Sequence, residues 1–441
     1  MIIKYCKNTE GIVSNLVLRK IVLNCEIIPN EKKLDAFALL KYDKMPDKLH
    51  FLLNPDLSLH NFHIKIGNNK IDNIIIEERK NQEDSFYKIA KLWEVLLPTD
   101  IDNSENKSFQ LVVSYSGKIL KSEWDLSRID DNFVELASYG VWYPIPIKAK
   151  SYSYELTLTA PKEWTWIANS DLLNTYPKQD KLAWSWKNET AILDITLLGM
   201  PKELMYEKKG SIFWGLKEIV DKNTIYEKHI HERTSALKNW LGALDKRERF
   251  VYAFTPREKG GQYSRDGLVV TIRELPTEEE MVARVLQGML HEINHFWWKK
   301  TSVYDYHNWL DEALAEITSS LIIAEKFGGN EWLENRANRI LKALEQAGDL
   351  TSIRNTPRIM KDAYVLFYYR GFLLFYEILK KMGKEQFKNM IGSFARFIHN
   401  KRTVTTEDFL NFLSPYSTKI SYDLGGLVNK WLDYKGIGIP K

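Results

Sequence analysis

Cysteine is nearly absent from this chain of 441 residues: Cys6 and Cys25 are the only two. Two thiols cannot build a disulfide framework or a cysteine-rich metal site, and a pair of reduced thiols in a reducing compartment is expected. Long apolar runs are also lacking, so no helix is expected to cross a membrane. The opening stretch Met1-Ile2-Ile3-Lys4-Tyr5-Cys6-Lys7 has neither an apolar core nor a small-residue cleavage site. A soluble, cytoplasmic protein without a membrane partner is the expectation. Nor does one sign of charge dominate, since 62 basic residues face 58 acidic ones. Lys299 with Lys300, and Lys380 with Lys381, are pairs and not polybasic tracts, which argues against a nucleic-acid partner. No repeat and no low-complexity tract interrupts the pattern.

What is present is an ordinary globular balance, 44% hydrophobic and 27% charged, in a chain long enough for two domains. Over the first two hundred residues, β-branched and aromatic residues alternate between turns. Strands are expected at 109–115, 151–159, 164–168 and 193–198, in an antiparallel β domain. Beyond Pro201 the pattern changes to a helix over 226–244, strands at 250–254 and 268–272 around the turn at Gly260-Gly261, and helices from Thr277 onward. The fold class expected is α+β, with a β domain over 1–202 and a mostly helical domain over 203–441.

One helix carries candidate chemistry. Thr277 and Glu280 have capping-box spacing, and Met281, Val285, Met289 and Ile293 recur at helical spacing. Within it lies His291-Glu292-Ile293-Asn294-His295. Histidines four apart share a helix face and can reach one zinc ion, while Glu292 beside them can act as a base toward water without binding the metal. A third ligand is available in Asn308-Trp309-Leu310-Asp311-Glu312-Ala313, which opens a second helix with Asn308 as its expected cap. Glu312 in the first turn would complete a two-histidine, one-glutamate set with one position open, as a catalytic site requires. Alternatively, Glu312 only complements the helix dipole. Glu316, one turn on, is expected to be exposed or to support a ligand. His229 and His231 are expected on the surface, and Trp297 with Trp298 in the core.

His291-Glu-x-x-His295 followed by Trp309-Leu-Asp-Glu312-Ala resembles the M1 family of gluzincin metallopeptidases. The spacer of sixteen residues is slightly shorter than usual there, with the shortfall in the loop at 299–308. Val141-Trp-Tyr-Pro144 and Leu156-Thr-Leu-Thr-Ala-Pro161 resemble the family's β domain, and Trp431-Leu with Gly436-Ile-Gly-Ile-Pro440 the close of its catalytic domain. The resemblance implies a thermolysin-like zinc peptidase acting on peptides or proteins. By that resemblance a short form is expected, without the family's C-terminal helical domain, which would leave the cleft more open on one side. Tyr368-Tyr369-Arg370-Gly371-Phe372 is similar to the family's Tyr-x-x-Gly-Phe segment, which implies that Tyr368 donates to the developing oxyanion; Tyr364 and Tyr369 are neighbours of the same type.

Where the family carries Gly-x-Met-Glu-Asn for substrate binding, this chain has Gly260-Gly261-Gln262-Tyr263-Ser264. The glutamate that in the family holds a substrate's free amine has no counterpart there, although the backbone can still accept an extended chain. The expectation is an M1-like aminopeptidase or a relative of altered specificity. The alternative is a binding or scaffold protein that keeps the fold without catalysis.

Overall fold

In a computed structural model, the described residues are 18–43, 49–67, 69–79, 87–97, 108–120, 122, 125–147, 152–192, 194–243, 250–358, 360–401 and 403–440. Cys6, the Ser151 and Leu193 ends of two expected strands, and the Leu244 end of the expected helix lie outside them. The chain divides into two compact units, Met1–Glu203 and Leu204–Lys441.

The first unit is built on an eight-stranded sheet, in the order Asp171–Lys178, Lys181–Ile192, Tyr152–Pro161, Leu18–Ile28, Lys33–Tyr42, Phe109–Lys118, Leu57–Ile66 and Asn69–Ile71. Period-two patterning sets the register. Ile21, Leu23, Cys25 and Ile27 oppose Leu40, Ala38, Ala36 and Leu34, and all eight side chains are buried. The expected antiparallel character holds at every described pairing in this unit but one. Leu18–Ile28 runs parallel to Tyr152–Pro161, strands so far apart in sequence that no tight turn joins them. Two four-stranded sheets complete the unit. In one, Trp164–Ala168 appears as expected, whereas the strand expected at 193–198 is Leu197–Pro201. Its Gly199 pairs with Trp166, whose indole lies where a β-carbon on residue 199 would go.

The second unit starts with a four-stranded sheet in the order Phe213–Gly215, Val251–Phe254, Leu268–Thr271, Tyr263–Arg265. The first three strands are parallel, and Tyr263–Arg265 is an antiparallel edge strand. The helices are α1 (Lys217–Asn223), α2 (Ile225–Leu241), α3 (Glu279–Trp298), α4 (Trp309–Ala324), α5 (Gly329–Ala347), α6 (Gly371–Met382), α7 (Lys384–Ile398), α8 (Thr406–Ile420) and α9 (Leu424–Asp433). This β-rich unit followed by a helical one is the α+β architecture expected.

Two expected caps are not made. α3 begins one residue later than Thr277 would place it: Glu278 is the N-cap residue, its carbonyl accepts from Met281 and Val282, and no side chain caps the end. Asn308 does not cap α4, because a short 3-10 turn at Tyr306–Asn308 precedes that helix. The Asp305 carboxylate caps this turn by accepting from His307 N. Asn308 instead donates to Thr301 Oγ1 at 3.3 Å.

Candidate metal centre

All sixteen residues of α4 are buried, so it is the central helix of its unit and not an amphipathic surface helix. Its polar side chains consequently need partners inside the protein. Asp311 accepts from Lys300 N, Thr301 N and Thr301 Oγ1 at 3.3, 3.0 and 2.7 Å, tying the short loop after α3 back to α4. Thr318 accepts from Trp298 Nε1 at 3.2 Å and donates to Leu314 O at 2.6 Å. Trp297 and Trp298 are core residues, His231 is exposed and His229 half-buried.

Within this frame α3 and α4 bring three side chains together. His291 Nε2 lies 3.2 Å from Glu312 Oε2, His295 Nε2 is 3.3 Å from the same oxygen, and the two Nε2 atoms are 3.2 Å apart. The three atoms form a nearly equilateral triangle. Ligands placed tetrahedrally at about 2.0–2.1 Å from a zinc ion stand about 3.3–3.4 Å apart, so these residues fit such an ion. The imidazole rings meet edge to face with centroids 4.8 Å apart.

A second layer fixes the first. His291 Nδ1 lies 3.0 Å from Glu316 Oε1, so Glu316 supports a candidate ligand and is not exposed. Its other oxygen meets the Arg336 guanidinium and accepts from Gln287 Nε2 at 3.3 Å. Burial pushes the Glu316 carboxyl up, but Arg336 and His291 outweigh it and hold it down at about 2. Burial opposes charge on His291, yet Glu312 and Glu316 raise its imidazole to about 10.

Glu292 is half-buried, and its negative charge acts on His291, Tyr368 and Tyr252. Tyr368 lies on a π-helical turn, Val365–Arg370, that runs directly into α6. Its ring stacks on His291 at 5.2 Å between centroids and 18° between planes. Burial pushes its phenol well above the usual range, so it keeps its proton at neutral pH. Tyr364 and Tyr369 touch each other, and Tyr364 also packs on Tyr368. Among the described residues neither reaches the His–Glu cluster, and Tyr364 is 53% exposed.

One residue at this centre carries no sequence signal. Arg358 Nη2 donates to Tyr368 Oη at 2.8 Å and lies 3.2 Å from Glu312 Oε1. No periodicity or motif marks it; only its place between two site side chains does.

The segment proposed for substrate binding is divided in its surroundings. Gly260 and Gly261 are exposed, with φ of +89° and +66° that favour glycine. Gln262 accepts from the Tyr252 hydroxyl. Tyr263 is buried, with the Arg265 and Arg257 guanidiniums 4.8 and 5.8 Å from its ring centre. The Ser264 carbonyl on this edge strand accepts from Lys299 Nζ and Arg265 Nη1 at 2.9 and 2.8 Å.

Residues 264–431 match the family model described as the Peptidase family M1 domain. No curated protein matches the chain by sequence. Among solved structures, it is similar to an M1 zinc metallopeptidase of Deinococcus radiodurans, a mutant bound to a Tyr-Ser-Ala substrate. Identity there is 14%, coverage is 97% of this chain and 96% of that one, and the TM-score is 0.70. It is also similar to leukotriene A4 hydrolase of Saccharomyces cerevisiae, at 13% identity, with 99% and 72% covered and a TM-score of 0.70. Residues 264–431 thus carry the pattern of an M1 peptidase domain, and the fold is that of M1 zinc metallopeptidases. At such identities the structural likeness speaks for the fold.

Proposed function

We propose that this protein is a zinc-dependent peptidase in which His291, His295 and Glu312 hold the metal. The triangle of ligand atoms 3.2–3.3 Å on a side carries the reading. When bound, zinc supplies a Lewis acid that makes water acidic near neutral pH and polarises a carbonyl. Glu292, adjacent in sequence to the first ligand, takes the proton of the attacking water and delivers it to the leaving amine. Tyr368, which keeps its proton, donates a hydrogen bond to the oxygen on which negative charge develops. Peptides or proteins are the substrates.

Specificity is proposed to depart from simple recognition of a free amine. The segment at 260–264 offers no carboxylate, and its Tyr263 is buried with two guanidiniums near its ring. The exposed backbone at Gly260-Gly261 is the part suited to an extended substrate. Aminoacyl anilides compared with N-terminally blocked peptides test this: turnover of blocked peptides supports altered specificity, and strict dependence on a free amine refutes it.

A further inference from the structure

We infer that Arg358 is a positioning residue of the proposed hydrolysis, keeping the Tyr368 proton free for the substrate by standing between that hydroxyl and the Glu312 carboxylate. The inference rests on the peptidase reading above and deepens it.

The geometry turns on one nitrogen. Nη2 of Arg358 is within hydrogen-bonding distance of both Tyr368 Oη and Glu312 Oε1, at 2.8 and 3.2 Å. The hydrogen bond goes to the phenol and the ion pair to the carboxylate, and a guanidinium has no lone pair with which to accept. The phenol oxygen therefore accepts from Arg358 and cannot return its own proton to it. Among the described residues this is the hydroxyl's one hydrogen bond. Glu312 divides its oxygens similarly, with Oε2 facing the two imidazoles and Oε1 facing Arg358.

Without the guanidinium, the nearby carboxylate oxygen is a strong acceptor for the phenol. Such a bond would point the proton at a metal ligand and away from the substrate. The contacts are also well shielded. The side chain of Arg358 is 23% exposed and that of Glu312 8%, and the guanidinium lies 5.2 Å from the centre of the Tyr368 ring whose plane stacks on His291. Little water competes for any of these hydrogens.

The test is a double-mutant cycle in the zinc-loaded protein on a peptide that the wild type cleaves. Arg358→Met is expected to lower kcat about ten- to a hundredfold, a part of the loss of a full oxyanion donor, and to leave KM within about twofold. In a Tyr368→Phe background the same change is expected to cost less than about threefold, because Arg358 acts through that hydroxyl. Arg358→Lys, whose ammonium can reach both oxygens, is expected to recover part of the loss, and it serves if the methionine variant does not fold. By calorimetry, Arg358→Met should weaken binding of a phosphinic peptide about tenfold and leave binding of the cleaved peptide unchanged. Zinc retention against a chelator should stay within about threefold. Unchanged kcat, or fully additive losses in the cycle, overturns the assignment. A wild type that binds zinc and cleaves no peptide overturns the peptidase reading instead.

Discussion

Gly371 and Ala313 pack so closely that a β-carbon on Gly371 would stand 2.6 Å from the β-carbon of Ala313. Ala313 follows Glu312, and Gly371 follows the π-helical turn that holds Tyr368. The contact thus sets the spacing between a candidate ligand and a candidate catalytic hydroxyl. Gly371 has an ordinary helical φ of −60°, so closeness and not backbone freedom requires glycine. Gly371→Ala is expected to destabilise by about 1–3 kcal/mol and to lower kcat, and Ala313→Gly in the same chain should recover most of both. Thermal melts and steady-state rates of the three variants check this. An additive loss would separate the two residues.

Arg370, one residue earlier, points into the interior. It is fully buried and donates to the carbonyls of Thr351, Tyr434 and Gly436 at 3.1, 2.8 and 2.5 Å. Burial lowers its guanidinium to about 10, still charged at neutral pH. Arg370→Met leaves those carbonyls without a donor, at an expected cost of about 2–4 kcal/mol. Hydrogen exchange should report the loss first around Tyr434 and Gly436. Protection there equal to the wild type would contradict the clamp.

The Glu316–Arg336 pair predicts a pH dependence in the metal-free protein. The folded carboxyl is held at about 2, below its ordinary 4.5. A depressed carboxyl contributes stability above the ordinary value and loses it as pH falls toward the folded one. Glu316→Gln should therefore be less stable than wild type at pH 7, by about 3 kcal/mol. The gap should close progressively from pH 4.5 toward 2, measured by denaturant titration at each pH. A gap independent of pH would assign the effect to packing.

What the sequence revealed followed from regular spacing. Histidines four apart on α3 had to share a face, and Glu312 in the first turn of α4 had to lie near that helix's start. The alternation of Tyr152, Tyr154, Leu156 and Leu158 likewise determined which face of their strand is buried. Features that depend on tertiary neighbours were not legible. The wide π turn under Tyr368 has no residue signature, and Arg358 gains meaning only from the two oxygens that meet at its nitrogen. The caps expected from Thr277 and Asn308 show the same limit in reverse. Good cap residues were present, but Glu278 already accepts the first turn's bonds in α3, and the 3-10 turn draws Asn308 into the loop before α4.

The central claim is that His291, His295 and Glu312 form one zinc site serving hydrolysis by Glu292. It is tested most directly by measuring bound zinc and peptide turnover together in wild type, Glu292→Gln and Glu312→Ala, all purified without chelator. We predict one zinc per chain and turnover in wild type, one zinc with turnover reduced by about a thousandfold or more in Glu292→Gln, and neither in Glu312→Ala. Wild-type rates in Glu292→Gln, or full zinc content in Glu312→Ala, would contradict the account.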